Sequence, residues 1–71
     1  MKQVIKITEE QANKLKGKLF AKDSYFNPIQ DNDNNWIISI EEMEKCEFEE
    51  FDFLKECEII EYKPKITPLF I

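Results

Sequence analysis

The run Asp31-Asn32-Asp33-Asn34-Asn35-Trp36-Ile37-Ile38-Ser39-Ile40-Glu41-Glu42 has the spacing of a metal-binding template. On a twelve-residue calcium loop, Asp31, Asp33 and Asn35 fall at positions one, three and five, and Glu42 at position twelve. Hard oxygens at alternate places, closed by a bidentate carboxylate, are what Ca²⁺ takes. Position six holds Trp36, where the sharp turn calls for a backbone geometry that glycine alone reaches freely. The entering helix also fails, because Pro28 pushes Asn27 out of the helical region. The same letters have a simpler use. Asp and Asn make a turn, Trp36 to Ile38 a strand, and Ser39 with Glu42 a helix cap. The expectation is no dedicated metal site, with a degenerate calcium module on Asp31, Asp33, Asn35 and Glu42 as an alternative.

Other reactive groups are sparse. Glu49, Glu50 and Asp52 are close in sequence, but a glycosidase needs two carboxylates held across a cleft. Within one acidic run they are expected to face water, and no catalytic residue is assigned. Cys46 or Cys57 could act as a nucleophile only with a base, and the chain has no histidine. Buried, inert thiols are the expectation. The cysteines are eleven residues apart, and either a hairpin or two packed elements could bring them within bonding distance. The reading adopted is a cytoplasmic chain with reduced thiols.

Size and composition narrow the classes further. The 71 residues and 8.5 kDa make one small domain. A chain this short buries only about 60% of its unfolded surface. A ligand cleft of about 300 Å³ would use up much of such a core. No enzyme, small-molecule substrate or cofactor is therefore expected. The absence of histidine and arginine removes the commonest general base and the bidentate phosphate clamp. A single glycine, Gly17, leaves no glycine-rich phosphate cradle. The net charge of −5 opposes direct binding to nucleic acid. It is unevenly spread: residues 1–30 carry six lysines against three acids, and residues 31–71 carry four against twelve. No long apolar run or lysine-led leader suggests a membrane span or a signal peptide.

The elements that must position these groups follow from pattern. Gln3 to Ile7 is a β-branched strand. Thr8-Glu9-Glu10-Gln11 is a capping box opening a helix over about 9–16, which Gly17 ends. Residues 18–24 read as a connector. Tyr25 to Gln30 reads extended, with Pro28 demanding a sheet edge. Asp31 to Asn35 turns into a strand over 36–39, completing a hairpin. Ser39-Ile40-Glu41-Glu42 is a second capping box. A short helical turn is expected over about 49–55, then a strand from Ile59 to Tyr62 before Pro64. The expected core is Ile5, Ile7, Leu15, Phe26, Trp36, Ile38, Met43, Phe51, Leu54 and Ile59. The fold class is a small single α+β domain over residues 1–63, in β-α-β-β-α-β order. It has a central hairpin and two short helices covering one sheet. That order is shared by the split β-α-β arrangement, with a smaller sheet-and-helix layout as the other option. An apolar C-terminal tail over 64–71 follows.

Two stretches look made for contact. Phe48, Phe51 and Phe53 alternate with Glu47, Glu49, Glu50 and Asp52. Most of these rings belong in a core, but an acidic stretch with aromatics also suits a basic, apolar groove. Leu69, Phe70 and Ile71 are large and apolar in a tail that is usually polar, so they are expected to be tied to something. Their own sheet is one candidate, and a neighbour bound by strand addition or in a groove is the other.

Phe26-Asn27-Pro28-Ile29-Gln30-Asp31, followed by Asn35-Trp36-Ile37-Ile38-Ser39 and Glu42, resembles a group of short proteins of tailed phages and Bacteroidetes-type bacteria. Thr8 to Gln11 and Ile60 to Lys65 share the resemblance, which spans about residues 4–65. The group carries no assigned activity, so it implies only a phage or mobile-element setting, in which the virion is an alternative location to the cytoplasm. Where other members carry Asp-Gly at the turn, this chain has Asp33-Asn34. The reading is a non-enzymatic protein that contacts a protein partner or itself through Glu47–Asp52 and the tail. An acidic, nucleic-acid-mimicking inhibitor of a nuclease or defence protein is the alternative.

Overall fold

The computed structural model describes residues 2–64. The calls on Leu69, Phe70 and Ile71, and all of the tail from residue 65 onward, lie outside the described residues. The chain forms a small α+β domain. Strand β1 (Gln3–Ile7) leads into helix α1 (Glu9–Leu15), then a small hairpin of β2 (Leu19–Ala21) and β3 (Ser24–Tyr25). Strands β4 (Ile29–Gln30) and β5 (Trp36–Ser39) follow, then helix α2 (Ile40–Glu44), a 3-10 segment (Glu49–Glu56) and strand β6 (Ile59–Glu61).

The main sheet has the order β4-β5-β1-β6, and each neighbouring pair is antiparallel. Two consequences follow. β1 and β4 run parallel with β5 between them, and β5 and β6 run parallel with β1 between them. The sheet is thus two β-α-β units interleaved, each split by a strand of the other. Pro28 precedes the edge strand β4, where its missing N–H leaves no gap in a ladder.

Both capping boxes form. The Gln11 N–H donates to Thr8 Oγ1 at 3.1 Å, and the Thr8 N–H donates to Gln11 Oε1 at 2.9 Å. At α2 the Glu42 N–H donates to Ser39 Oγ at 3.2 Å, and the Ser39 N–H donates to Glu42 Oε2 at 3.0 Å. Gly17 has φ +76, the left-handed turn that stops α1. The stretch 18–24, expected as a connector, is instead mostly the β2–β3 hairpin. It is held on both sides: the Phe26 N–H donates to the Lys18 carbonyl, and the Glu47 N–H donates to the Phe20 carbonyl, each at 2.9 Å. The expected strand over 25–30 is correspondingly divided, with Tyr25 in β3 and only Ile29–Gln30 in β4. The turn expected over 49–55 is a 3-10 segment, bent at Phe51 (φ −106, ψ 15).

Register assigns the faces. Ile5 opposes Ile38 and Ile7 opposes Trp36, so these share the side on which the helices pack. There Ile5, Ile7 and Ile38 meet Ala12, Leu15, Phe26, Phe51 and Leu54 in one cluster. Phe20, Phe26, Phe51 and Phe53 form a chain of rings with centroids 5.3, 5.0 and 6.5 Å apart. Three expected core residues are corrected. Trp36, the first residue of β5, is half-buried against the edge of the cluster, with the Lys16 ammonium at the end of α1 4.7 Å from its ring. Met43 is half-buried on the five-residue α2. Ile59 is 51% exposed, since β6 is the outermost strand and the helices do not extend over it. On the opposite face Val4 and Ile37 are buried, which strict one-sided alternation did not predict.

Candidate interaction surface

The fold separates Glu42 from the rest of the calcium ligand set: Asp31, Asp33 and Asn35 line one hollow and Glu42 another. Asp31 is buried inside its own turn, where Oδ1 accepts the N–H groups of Asp33 and Asn35, each at 2.9 Å. Asp33 turns outward and pairs with the Lys63 ammonium at 3.2 Å. The Glu42 carboxylate is fully engaged elsewhere: Oε2 caps α2, and Oε1 accepts the Asn27 N–H at 2.9 Å. The left-handed residue of the loop is Asn34 (φ 64), not Trp36, which is extended in β5. Among the described residues no three acidic, cysteine or histidine side chains gather as a metal requires. The role of Glu42 as a clamp between α2 and the β4 side of the chain was not visible in the sequence. Its partner is the Asn27 backbone, fifteen residues away, and backbone partners leave no mark in residue types.

Cys46 and Cys57 are free thiols, both half-buried against the helix-side core. Cys57 Sγ lies 3.5 Å from the Phe53 carbonyl and 4.0 Å from Gln11 Oε1. Burial, and then the Glu56 carboxylate beside it, push the Cys57 thiol above the ordinary thiol value. The folded chain therefore holds that proton more tightly than the unfolded chain. The resulting stability is complete below the ordinary thiol range and is lost as pH rises through it towards the raised value. Iodoacetamide at pH 8, followed by peptide mass spectrometry, is expected to label Cys57 several-fold more slowly in the folded chain than in urea. Equal rates would show that its burial is not maintained in solution.

The acidic–aromatic segment divides into an inner and an outer part. Phe51, expected in the core and also within the contact segment, is in the core against Phe26, and its ring is not available to a partner. Phe53 is half-buried behind it. Phe48 is 40% exposed, and Glu47, Glu49, Glu50 and Asp52, its neighbours in sequence, all face solvent. The segment is held at both ends, with Glu47 bonded to β2 and Phe51 and Leu54 buried in the core. Both lysines between residues 41 and 61 face carboxylates close by: Lys45 meets Glu41 at 2.6 Å and Lys55 meets Asp52 at 3.7 Å. The Lys45 contact, a hydrogen bond first and charge second, lowers the Glu41 carboxyl below its usual range. Glu47, Glu49 and Glu50 have no lysine partner among the described residues. The outcome is one partly exposed ring in a stretch whose acids face solvent.

The rest of the surface offers open hollows rather than a cleft. One of about 440 Å³ lies where Lys14 and Lys18 face Glu50 and Phe53. Another, of about 210 Å³, lies beside Glu42 of α2, with Val4, Ile29, Ile37 and Tyr62 also in its lining. Among the described residues no helix is long and apolar enough to cross a membrane. Comparison with protein-family models, curated proteins and solved structures finds no match for the chain.

Proposed function

We propose that this is a non-enzymatic protein that works by contact, docking a basic, apolar surface onto the acidic stretch that presents Phe48. The observation that carries the reading is the division of the segment. Phe51 and Leu54 fix it to the core, and that leaves Phe48 and the acids Glu47, Glu49, Glu50 and Asp52 presented outward. A preorganised aromatic flanked in sequence by acids is the arrangement of an interface hot spot, where little ordering cost remains to be met on binding. The apolar residues 66–71 add a second contact element, for self-association or for a partner. A phage or mobile-element setting, as the resemblance implies, is part of the proposal.

A second reading is favoured by the charge alone: residues 41–61 hold ten acids against two lysines, enough to imitate a nucleic-acid strand before a nuclease or defence protein. Affinity capture with the full chain, followed by titration calorimetry on the captured protein, separates the two. Under the contact reading, Phe48→Ala weakens binding about tenfold, the effect of roughly 1.4 kcal/mol at a hot spot. Glu49→Lys with Glu50→Lys mainly slows association and flattens the salt dependence. Under the mimic reading Phe48→Ala is silent and affinity collapses with salt. A partner that binds all variants equally ends both.

A further inference from the structure

The hollow beside the 3-10 segment carries charges of both signs that do not neutralise one another. Lys14, in the last turn of α1, and Lys18, just past Gly17, line it together with Glu50. All three are exposed, and among the described residues none of them makes an ion pair. The aromatic part of the lining is Phe51, from the core, and the half-buried Phe53. At about 440 Å³ the hollow exceeds the roughly 300 Å³ at which ligand pockets begin, so a ring fits. An incoming ring would find edge-to-face partners there.

The same chain carries the complement. Phe48 is 40% exposed, between Glu47 and Glu49, two exposed acids with no lysine partner among the described residues. A ring between two unpaired carboxylates matches an aromatic-lined hollow with two unpaired lysines, in charge and in kind of surface. The two features are also neighbours. Glu50 lines the hollow, and Cα atoms two residues apart lie within about 7 Å of each other.

That closeness selects the symmetry. A two-fold rotation beside Glu50 carries Phe48 of each copy to the hollow of the other, and both contacts form at once. Such an interface is self-complementary and closes at two chains, whereas complementary patches far apart would generate rings or filaments. The net charge of −5 opposes any contact between copies, and salt screens that repulsion and the local attractions alike. Reversal of the local charges, rather than added salt, therefore isolates the contact.

We infer that two copies of this chain associate about a two-fold axis, with Phe48 of each seated in the other's hollow and Glu47 and Glu49 meeting Lys14 and Lys18 of the partner subunit. This rests on the reading of Phe48 as a contact residue and names what it contacts. The test is sedimentation velocity on the full chain over a concentration series. The wild type is expected to dimerise reversibly, and Phe48→Ala to raise the dimer Kd about tenfold. Lys14→Glu with Lys18→Glu, and separately Glu47→Lys with Glu49→Lys, are each expected to sediment as monomers, because like charges then meet. All four positions are exposed, so circular dichroism of both variants should match the wild type. Mixed in equal amounts, the two variants are expected to form a heterodimer, since an acidic hollow then receives a basic segment and a basic hollow an acidic one. A wild type that stays monomeric at every concentration overturns the inference and leaves the reading of Phe48 standing, which titration of a captured partner with Phe48→Ala decides separately. A dimer that survives either charge reversal, or a mixture that stays monomeric, also overturns it.

Discussion

Phe51→Ala is expected to lower the unfolding free energy by about 3–5 kcal/mol, the usual cost of emptying a buried aromatic site. The ring is 7% exposed and touches Phe26 edge-on at 5.0 Å, with Phe53 on its other side at 6.5 Å. Removing it breaks the chain of rings at its middle and loosens the 3-10 segment from the sheet. A domain of this length holds only about 4–10 kcal/mol in total, by the usual value per residue. The variant should therefore lose a large share of its stability and unfold at much lower urea, as read by circular dichroism. Phe48→Ala is the control. Its ring is 40% exposed, and substitutions on open surface usually stay within about 0.5 kcal/mol. Equal losses in the two variants would refute the division of the segment into an anchored and a presented half.

Glu42→Ala is expected to cost about 2–4 kcal/mol, since two backbone donors lose a charged acceptor at once. The Ser39 N–H at 3.0 Å and the Asn27 N–H at 2.9 Å would both be left without it. The second loss is the larger structural event. Asn27 follows Phe26, so the clamp holds a core ring in place as well as a helix end. Glu42→Gln keeps one acceptor oxygen and should cost about half as much. Ser39→Ala, which touches only the cap, should cost about 1 kcal/mol. Equilibrium unfolding of the three variants checks the order. A Glu42→Ala loss no greater than that of Ser39→Ala would mean that the bond to Asn27 contributes nothing.

How far the sequence could be read depended on whether a feature is local. Both capping boxes are short-range patterns with one physical meaning, and both formed where Thr8 and Ser39 place them. The strands around β1 followed from β-branched runs, and Pro28 marked an edge. Phe48, Phe51 and Leu54 in and before the turn expected over about 49–55 are spaced by three, the period of the 3-10 segment that forms there. The β2–β3 hairpin was missed because its strands have three and two residues, too few to show alternation. Ile59 was placed inside because its residue type says nothing about where the helices stop. The calcium-like spacing arose because an Asx turn followed by a capping box uses the same residue types as a cation loop. The backbone partners of Asp31 and Glu42 distinguish the two in the structure, as Trp36 and Pro28 do in the sequence. Of the expected contact residues, Phe51 went to the core while the acids and Phe48 stayed outside.

The interleaving of the two β-α-β units has a consequence for synthesis. β1 is made first, but its neighbours are β5 and β6, about thirty and fifty-five positions further along. Until the last strand has left the ribosome, Val4 and Ile5 have an unfilled side. The nascent chain cannot settle piece by piece from its amino end, and ordering must wait for a late, all-at-once closure. Such distant pairings slow that closure relative to helical proteins of similar size.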